Sequence, residues 1–318
     1  MFNLFLGNME KKKKIILLTG PTASGKTSIA IELCKSMSSA EVISVDSRQF
    51  YRGMDIGTAK PTLQERAEVP HHFIDIANPD QGINAGEYAR RAKVIIRELH
   101  QRNTVPVLVG GSALYWKAVL DGFYEDKVDY SATRTALLNR LRKDGVGALY
   151  NELSAVDPVS HHRIKPNDAQ RIIRALEVGL SGKESLAEKW KRGKENESQF
   201  NTTMIWIDRQ RDQLYSAIDA RVDKMVEMGL LEEVKGLIEM GLGAKHYVMG
   251  TMGYIEPYRY LMGELSWDEA VSQIKRNSRQ FSKRQTTWFR KDRRLRRLDP
   301  DIWGVEGVCE RVKAQFER

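Results

Sequence analysis

The sequence predicts an α/β fold: a parallel sheet flanked by helices, an all-helical insertion, and a helical C-terminal region. Three observations carry that prediction. Short apolar runs alternate with helical periodicities through the first 120 residues. One such run, at 15–18, leads into the loop Gly20-Pro21-Thr22-Ala23-Ser24-Gly25-Lys26-Thr27 and then a helix. From about 123 to 199 the segments are helical, short and charged, and a buried strand returns only at 203–208. The expected organisation is a disordered lead-in at 1–13, a core from 14–122 and 200–318, and an insertion at 123–199.

The 318 residues suffice for one large domain or two smaller ones, and a hydrophobic content of 41% suits an ordinary globular core. The two cysteines, Cys34 and Cys309, form no C-x-x-C pair. They imply neither a disulfide framework nor a structural zinc site, and a reducing cytoplasm is the natural home. No stretch nears the roughly 20 apolar residues of a membrane span. The lysine run at 11–14 follows the first apolar residues, the reverse of a secretory signal. The net charge of +9 is unevenly placed: residues 275–297 hold 11 basic residues and one acidic residue, so the rest is nearly neutral. Such a local patch suits docking of a polyanion.

The loop at 20–27 has both glycines, Lys26-Thr27, a strand before it and a helix at 28–33 after it. Glycine lets the backbone curl so that successive N–H groups face an anion. The helix N-terminus adds partial positive charge. Lys26 brings a full charge to the terminal phosphates, and the Thr27 hydroxyl can hold Mg²⁺. The plainer role is a turn with a solvated lysine. The motif specifies a diphosphate or triphosphate, not the molecule that carries it.

A second strand, 41–46, ends on Asp46. Open α/β sheets keep their chemistry at such strand ends, so Asp46 is a candidate base or metal partner, or more plainly a turn cap. The polar segment 47–61 has no period, and a loop that long inside a compact domain is usually functional. Residues 71–76 read as a third strand, on which His71 and His72 point to opposite faces and make a poor metal pair. Residues 84–100 are helical, with Tyr88, Ala92, Ile95, Ile96 and Leu99 on one side. The buried strand 105–109 ends at Gly110-Gly111-Ser112. Ser112 can cap the helix 113–120, and it sets a hydroxyl at the sheet edge where a ligand would sit. This strand lacks the terminal Asp with which a motor ATPase holds Mg²⁺.

Within the insertion, 133–143, 147–156 and 167–180 are helical, whereas 181–198 is polar and rich in Lys and Glu. Arg171 and Arg174 share a helix face, either as a solvated pair or as part of a contact surface. Further on, Leu214, Ile218, Val222 and Val226 form an apolar stripe with Arg221 beside it. Ser266 and Glu269 make a capping box for a helix running to about 291. On that helix Trp267, Ile274, Phe281 and Trp288 recur every seven residues and are expected to pack on the core. Arg276, Lys283 and Arg290 lie roughly 200° around from them. Charged faces are usually just solvated. Eleven cations with Trp288 and Phe289 among them favour a nucleic-acid contact.

Taken in order, these motifs resemble the tRNA dimethylallyltransferase (tRNA isopentenyltransferase, IPP transferase) family from about 15 to 298. Besides the loop, they are Asp46-Ser47-Arg48-Gln49, Asp55-Ile56-Gly57-Thr58-Ala59-Lys60-Pro61, His71-His72 and Gly110-Gly111-Ser112-Ala113-Leu114-Tyr115. Gln170-Arg171-Ile172-Ile173-Arg174-Ala175-Leu176-Glu177 and Lys283-Arg284-Gln285-Thr286-Thr287-Trp288-Phe289-Arg290 complete the set. The resemblance implies a P-loop NTPase-like sheet core. It also implies transfer of a dimethylallyl group from dimethylallyl diphosphate to the exocyclic N6 of adenosine 37 of tRNA, beside the anticodon. The tRNAs would be those reading codons that begin with U, and the enzyme a cytoplasmic, Mg²⁺-using monomer.

By the same resemblance, Gly20, Pro21, Thr22, Ala23, Ser24, Gly25, Lys26 and Thr27 bind the diphosphate. Asp46 is the base, Thr27 is linked to Mg²⁺, and Lys26 and Arg221 serve the phosphate side. The tRNA anticodon stem-loop is contacted by Asp46, Ser47, Arg48, Gln49, Ser112, Arg134, Gln170, Arg171, Ile172, Ile173 and Arg174, and by Lys283, Arg284, Gln285, Thr286, Thr287, Trp288, Phe289 and Arg290. The chain departs from the family at Ser112, usually Thr, and at Ile255, where a basic residue usually follows Gly-Tyr. Two other classes stay open. A P-loop kinase or isopentenyltransferase acting on a free nucleotide needs neither the basic segment nor the insertion. A nucleic-acid-stimulated ATPase needs a second acidic strand end.

Overall fold

The computed structural model describes residues 13–122, 128–182, 185–194 and 199–318. The expected lead-in lies outside these residues except for Lys13, which opens the first strand. The chain divides into two compact units, one made of the residues up to Leu120 and from Gln199 onward, the other Asp121–Ser198. Among the described residues no helix is long and apolar enough to cross a membrane.

The first unit holds β1 (Lys13–Thr19), β2 (Ala40–Ser44), β3 (His71–His72), β4 (Val105–Val109), β5 (Phe200–Ile207) and β6 (Arg296–Leu298). All pair in parallel, in the order β3-β2-β4-β1-β5-β6. A parallel sheet is covered on both faces, which is why its central strands read as unbroken apolar runs. Ile15, Ile16, Leu17 and Leu18 of β1 are all fully buried. The helices that precede the insertion are α1 (Lys26–Lys35), α2 (Leu63–Glu68), α3 (Ala85–Gln101) and α4 (Ala113–Leu120). The N-terminus of α3 is capped by Asn84, whose side chain accepts the Glu87 N–H at 2.9 Å. The third strand is shorter than the sequence suggests. Phe73 and Asp75 adopt left-handed φ values of 63° and 56°, which ends the extended run after His72.

Among the described residues the second unit is all-helical: α5 (Ser131–Val156), α6 (Pro158–Arg163), α7 (Ala169–Gly179) and α8 (Leu186–Lys194). Gly145, at φ 78° and ψ 169°, breaks α5 where the sequence reading separates 133–143 from 147–156. Leu137, Leu149, Leu153, Ile172, Leu176 and Leu186 share the core of this unit. The helix α8 arises in a stretch read only as polar. Its buried Leu186 and Ala187 supply the apolar edge, and the Leu186 N–H is held by buried Asp157 at 3.1 Å.

After β5 the first unit continues with α9 (Arg211–Glu227), α10 (Leu230–Glu239), α11 (Ile255–Leu261), α12 (Trp267–Phe289) and α13 (Pro300–Glu317). The capping box on α12 is formed: Ser266 Oγ accepts the Glu269 N–H, and Glu269 Oε2 accepts the Ser266 N–H. The C-terminal third is not purely helical, because β6 adds an edge strand beside β5. The buried line of α12 is Ala270, Ile274, Ser278, Ser282, Gln285 and Phe289. Of the expected packing set only Ile274 belongs to it, and Trp288 is 49% exposed. A seven-residue spacing drifts about 20° per heptad around a straight helix, so it cannot track one face over 23 residues. The cations Arg276, Lys283 and Arg290 are exposed, as expected.

Candidate active site

The C-terminal ends of β1, β2 and β4 meet α9 and α12 around one open cleft of about 630 Å³. Lys26, Thr27, Asp46, Arg48, Gln49, Arg221 and Gln285 all line it, so residues far apart in the chain share one space. His71, expected to be a poor metal ligand, lines it too. Gly25 turns the chain into α1 at φ 89°, a conformation that glycine adopts without a steric penalty. Among the described residues the N–H groups of Gly25, Lys26 and Thr27 find no acceptor, as the start of a helix requires. The Thr22 N–H is committed instead to Gln285 Oε1 at 3.0 Å. Gln285 Nε2 in turn donates to the Gly111 carbonyl at 3.1 Å. One amide from α12 therefore ties the phosphate loop to the loop after β4.

Two cations of the cleft, Lys26 and Arg221, are half-buried and carry no carboxylate partner among the described residues, whereas Arg48 Nε lies 3.9 Å from Asp46 Oδ1. Lys26 Nζ donates to the Pro21 carbonyl at 2.5 Å. Burial, and then the charge of Arg221, lower its pKa to about 7, against a smaller opposing pull from Asp46. Burial and the charge of Arg48 bring Arg221 down to about 10. Arg221 Nη2 donates to the Thr58 carbonyl at 3.2 Å. Neither cation has a carboxylate within ion-pair distance among the described residues. Asp46 is steered by its own turn, with Oδ1 accepting the Arg48 N–H at 3.0 Å. Arg48 is fixed by the Met252 carbonyl at 3.1 Å and lies 5.8 Å from the centre of the Phe281 ring. Gln49 accepts from Ser44 Oγ and donates to the Ala59 carbonyl.

This arrangement can do two things chemically. Desolvated cations and orphan N–H groups bind a polyanion far better than solvated ones do. A carboxylate in the same cleft can accept a proton from a group brought up to that anion. No three His, Cys, Asp or Glu side chains gather into a metal site among the described residues. The donor set suits Mg²⁺ of the kind held by one hydroxyl and by substrate phosphate oxygens. The Thr27 hydroxyl faces no competing partner among the described residues.

The remaining candidates fall elsewhere. Ser112 Oγ accepts the Ser47 N–H at 3.4 Å, joining those two positions. Lys283, Thr286, Thr287 and Arg290 line a second open cleft, of about 990 Å³, with Arg209, Arg211 and Arg297. Of these last three, Arg297 closes the basic segment 275–297, whereas Arg209 and Arg211 lie outside every stretch singled out in the sequence. Arg209 and Arg211 lie one and three positions after Asp208 at the end of a strand, which is the available signal. Trp288 lies 5.7 Å beneath the Lys117 ammonium, and Arg284 stacks on Phe281. The Phe289 ring is buried beside Trp206, so it supports the fold rather than offering a face to RNA. In the second unit Ile172 and Ile173 are likewise core side chains. There Arg134 and Arg174 both bond the buried Glu177, at 2.5 and 3.1 Å. Arg171 pairs with Asp168 at 3.2 Å, and Gln170 is exposed.

A family model described as IPP transferase matches residues 49–292. The tRNA dimethylallyltransferase of Syntrophobacter fumaroxidans is 42% identical over 285 residues, which cover 90% of this chain and 83% of that one. The tRNA dimethylallyltransferase 2 of Syntrophus aciditrophicus is 42% identical over 313 residues, 98% of this chain and 99% of that one. Among solved structures, the tRNA delta(2)-isopentenylpyrophosphate transferase of Staphylococcus epidermidis superposes with a TM-score of 0.71 at 35% identity, over 96% of this chain and 99% of that one. A eukaryotic dimethylallyltransferase caught acting on tRNA superposes with a TM-score of 0.78 at 27% identity, over 95% and 78% of the two chains.

Proposed function

The chain belongs to the IPP transferase family, and on that premise we propose how it acts as a tRNA dimethylallyltransferase. The donor is dimethylallyl diphosphate. The acceptor is the exocyclic N6 of adenosine 37, beside the anticodon, in tRNAs that read codons beginning with U. The observation that carries this reading is the pair of half-buried cations without a carboxylate partner among the described residues, Lys26 and Arg221, in one cleft with Asp46.

The diphosphate takes the loop from Gly20 to Thr27, with the free N–H groups, Lys26 and Arg221 around it. As the bond from the allylic carbon to the bridging oxygen breaks, its electron pair goes to the diphosphate. The same cations stabilise that growing charge, and their fixed placement saves the reorganisation water would need. The adenine N6 lone pair forms the new C–N bond, and the N6 proton passes to Asp46. Thr27 would hold Mg²⁺, which when bound adds positive charge on the leaving diphosphate.

The adenine has to leave the anticodon-loop stack to reach the cleft, which costs a few kcal/mol. Contacts from Ser47, Ser112 and the cationic side of α12, with the second unit's Arg134, Gln170, Arg171 and Arg174, offset that cost. On this reading the enzyme works as a monomer in the cytoplasm. To test the reading, the protein is incubated with labelled dimethylallyl diphosphate and bulk tRNA, and the tRNA is digested to nucleosides. Label on N6-modified adenosine is expected, without ATP consumption. Label on a free nucleotide alone, or ATP hydrolysis coupled to turnover, would overturn it.

A further inference from the structure

We propose that Glu233, on α10 and outside the cleft lining, is a positioning residue that sets Arg221 and Gln49 through the backbone of residues 55–59. This rests on the diphosphate-side role given to Arg221 above. The Glu233 carboxylate accepts four hydrogen bonds. Its Oε2 takes the N–H groups of Asp55 and Ile56 at 2.9 and 2.7 Å. Its Oε1 takes the Gly57 N–H at 3.0 Å and the Tyr254 hydroxyl at 2.7 Å. Three successive N–H groups converging on one anion form a nest, the arrangement by which backbone usually holds a bound anion. Here the anion is the protein's own.

The other side of the same turn faces the site. The carbonyl of Thr58 accepts Arg221 Nη2 at 3.2 Å, and that of Ala59 accepts Gln49 Nε2 at 3.2 Å. Two consecutive carbonyls thus aim two cleft side chains, one each. The turn is closed by buried Thr58, whose hydroxyl donates to the Met54 carbonyl at 2.7 Å. Buried Lys60 fastens its exit to the Tyr51 carbonyl and to Asp55 and Asp75. Gly57 is required by close approach, because a Cβ there would lie 2.6 Å from the fully buried Tyr254 ring. Charge-assisted bonds of this kind are the strong ones. Removing the carboxylate frees the turn on the side opposite the carbonyls that orient Arg221.

The test compares Glu233→Ala and Glu233→Gln with the wild type in steady state, varying each substrate, alone and combined with Arg221→Gln. For Glu233→Ala, kcat/KM for dimethylallyl diphosphate should fall about 10- to 100-fold, the span of one or two lost charged hydrogen bonds. The KM for tRNA should change less, because Gln49 keeps its second bond, from Ser44 Oγ, and Glu233→Gln should recover part of the loss. In the Arg221→Gln background the same alanine change should cost less than about threefold, since residues acting as a unit are not additive. Full additivity, or equal losses toward both substrates, would overturn the inference. If the alanine protein does not fold, Tyr254→Phe removes one of the four bonds and should show the same substrate bias, weakened. If the wild type transfers nothing, the function proposed above fails by itself. The inference is then read from diphosphate affinity by calorimetry, which Glu233→Ala must weaken for it to stand.

Discussion

Proton uptake at Lys26 tests the diphosphate assignment directly. Burial and Arg221 hold its ammonium near pKa 7 in the free protein. At pH 8 only about a tenth of it is charged. A phosphate ester's last ionisation lies near 6, so the donor itself is fully ionised at pH 8. Placing two phosphates beside Lys26 adds opposite charge and raises its pKa again. Binding at pH 8 should therefore take up most of a proton per donor, and less at pH 7, where about half of Lys26 is already charged and the donor itself gives up about 0.1 proton. Above pH 7 the affinity should drop by up to about tenfold per unit.

Titration calorimetry in two buffers of different ionisation enthalpy counts these protons. Dimethylallyl diphosphate is titrated into the protein alone and into the protein holding a stem-loop with guanosine in place of the acceptor adenosine. Lys26→Arg, charged at every working pH, should bind without uptake. Uptake below about 0.2 in the wild type, or unchanged in Lys26→Arg, would refute the reasoning. The same shift sets the pH dependence of the free protein's stability. The folded pKa lies below the unfolded value of 10.5, so the unfolded chain binds the extra proton between the two. Lys26's contribution to stability is thus full above 10.5 and lost as pH falls to about 7.

Asp46→Asn should keep tRNA affinity and lower single-turnover transfer about 10²- to 10⁴-fold, the usual worth of a positioned base; an unchanged rate would remove Asp46 from that role. Replacing Arg276, Lys283 and Arg290 by Gln should reduce the salt slope of tRNA binding by about two to three, at about 0.7–0.9 per phosphate contact, with donor affinity unchanged. Titrations between 50 and 200 mM salt measure it, and a constant slope would mean a merely solvated face. Phe289→Ala should cost about 3–5 kcal/mol in chemical denaturation, because the ring is 1% exposed. Phe281, half-buried at the cleft, should cost less.

The parts of this molecule that follow from local pattern were legible in the sequence. The runs at 15–18 and 105–109, the phosphate loop, and the break at Gly145 each announce themselves within a few residues. What escaped is set by partners distant in the chain. Gln285 looks like one more polar residue in a cationic segment until α12 brings it to Thr22, 263 positions away. Glu233 is similarly unremarkable on an amphipathic helix, since its partners are backbone N–H groups more than 170 residues earlier. The buried line of α12 carries Ser278 and Ser282, so a search for apolar periodicity settles on the wrong stripe. The strand β6 is three residues long, with two arginines, and pairs only because β5 offers it an edge.

The register of the sheet also dictates an order of events at the ribosome. β1 is flanked by β4 on one side and by β5 on the other, with Lys13 opposite Phe200. At about 5–20 residues per second, β5 is synthesised roughly 10–40 s after β1. Through that interval β1, with its four fully buried residues 15–18, has one edge with no partner, which is the kind of edge that recruits other chains. The helical unit translated in the meantime has its own core around Leu149, Leu153 and Leu176, so it can settle while β1 waits. Nascent chains stalled within the second unit would therefore be the ones that depend most on chaperones, and those released past Ile207 the first able to close the sheet.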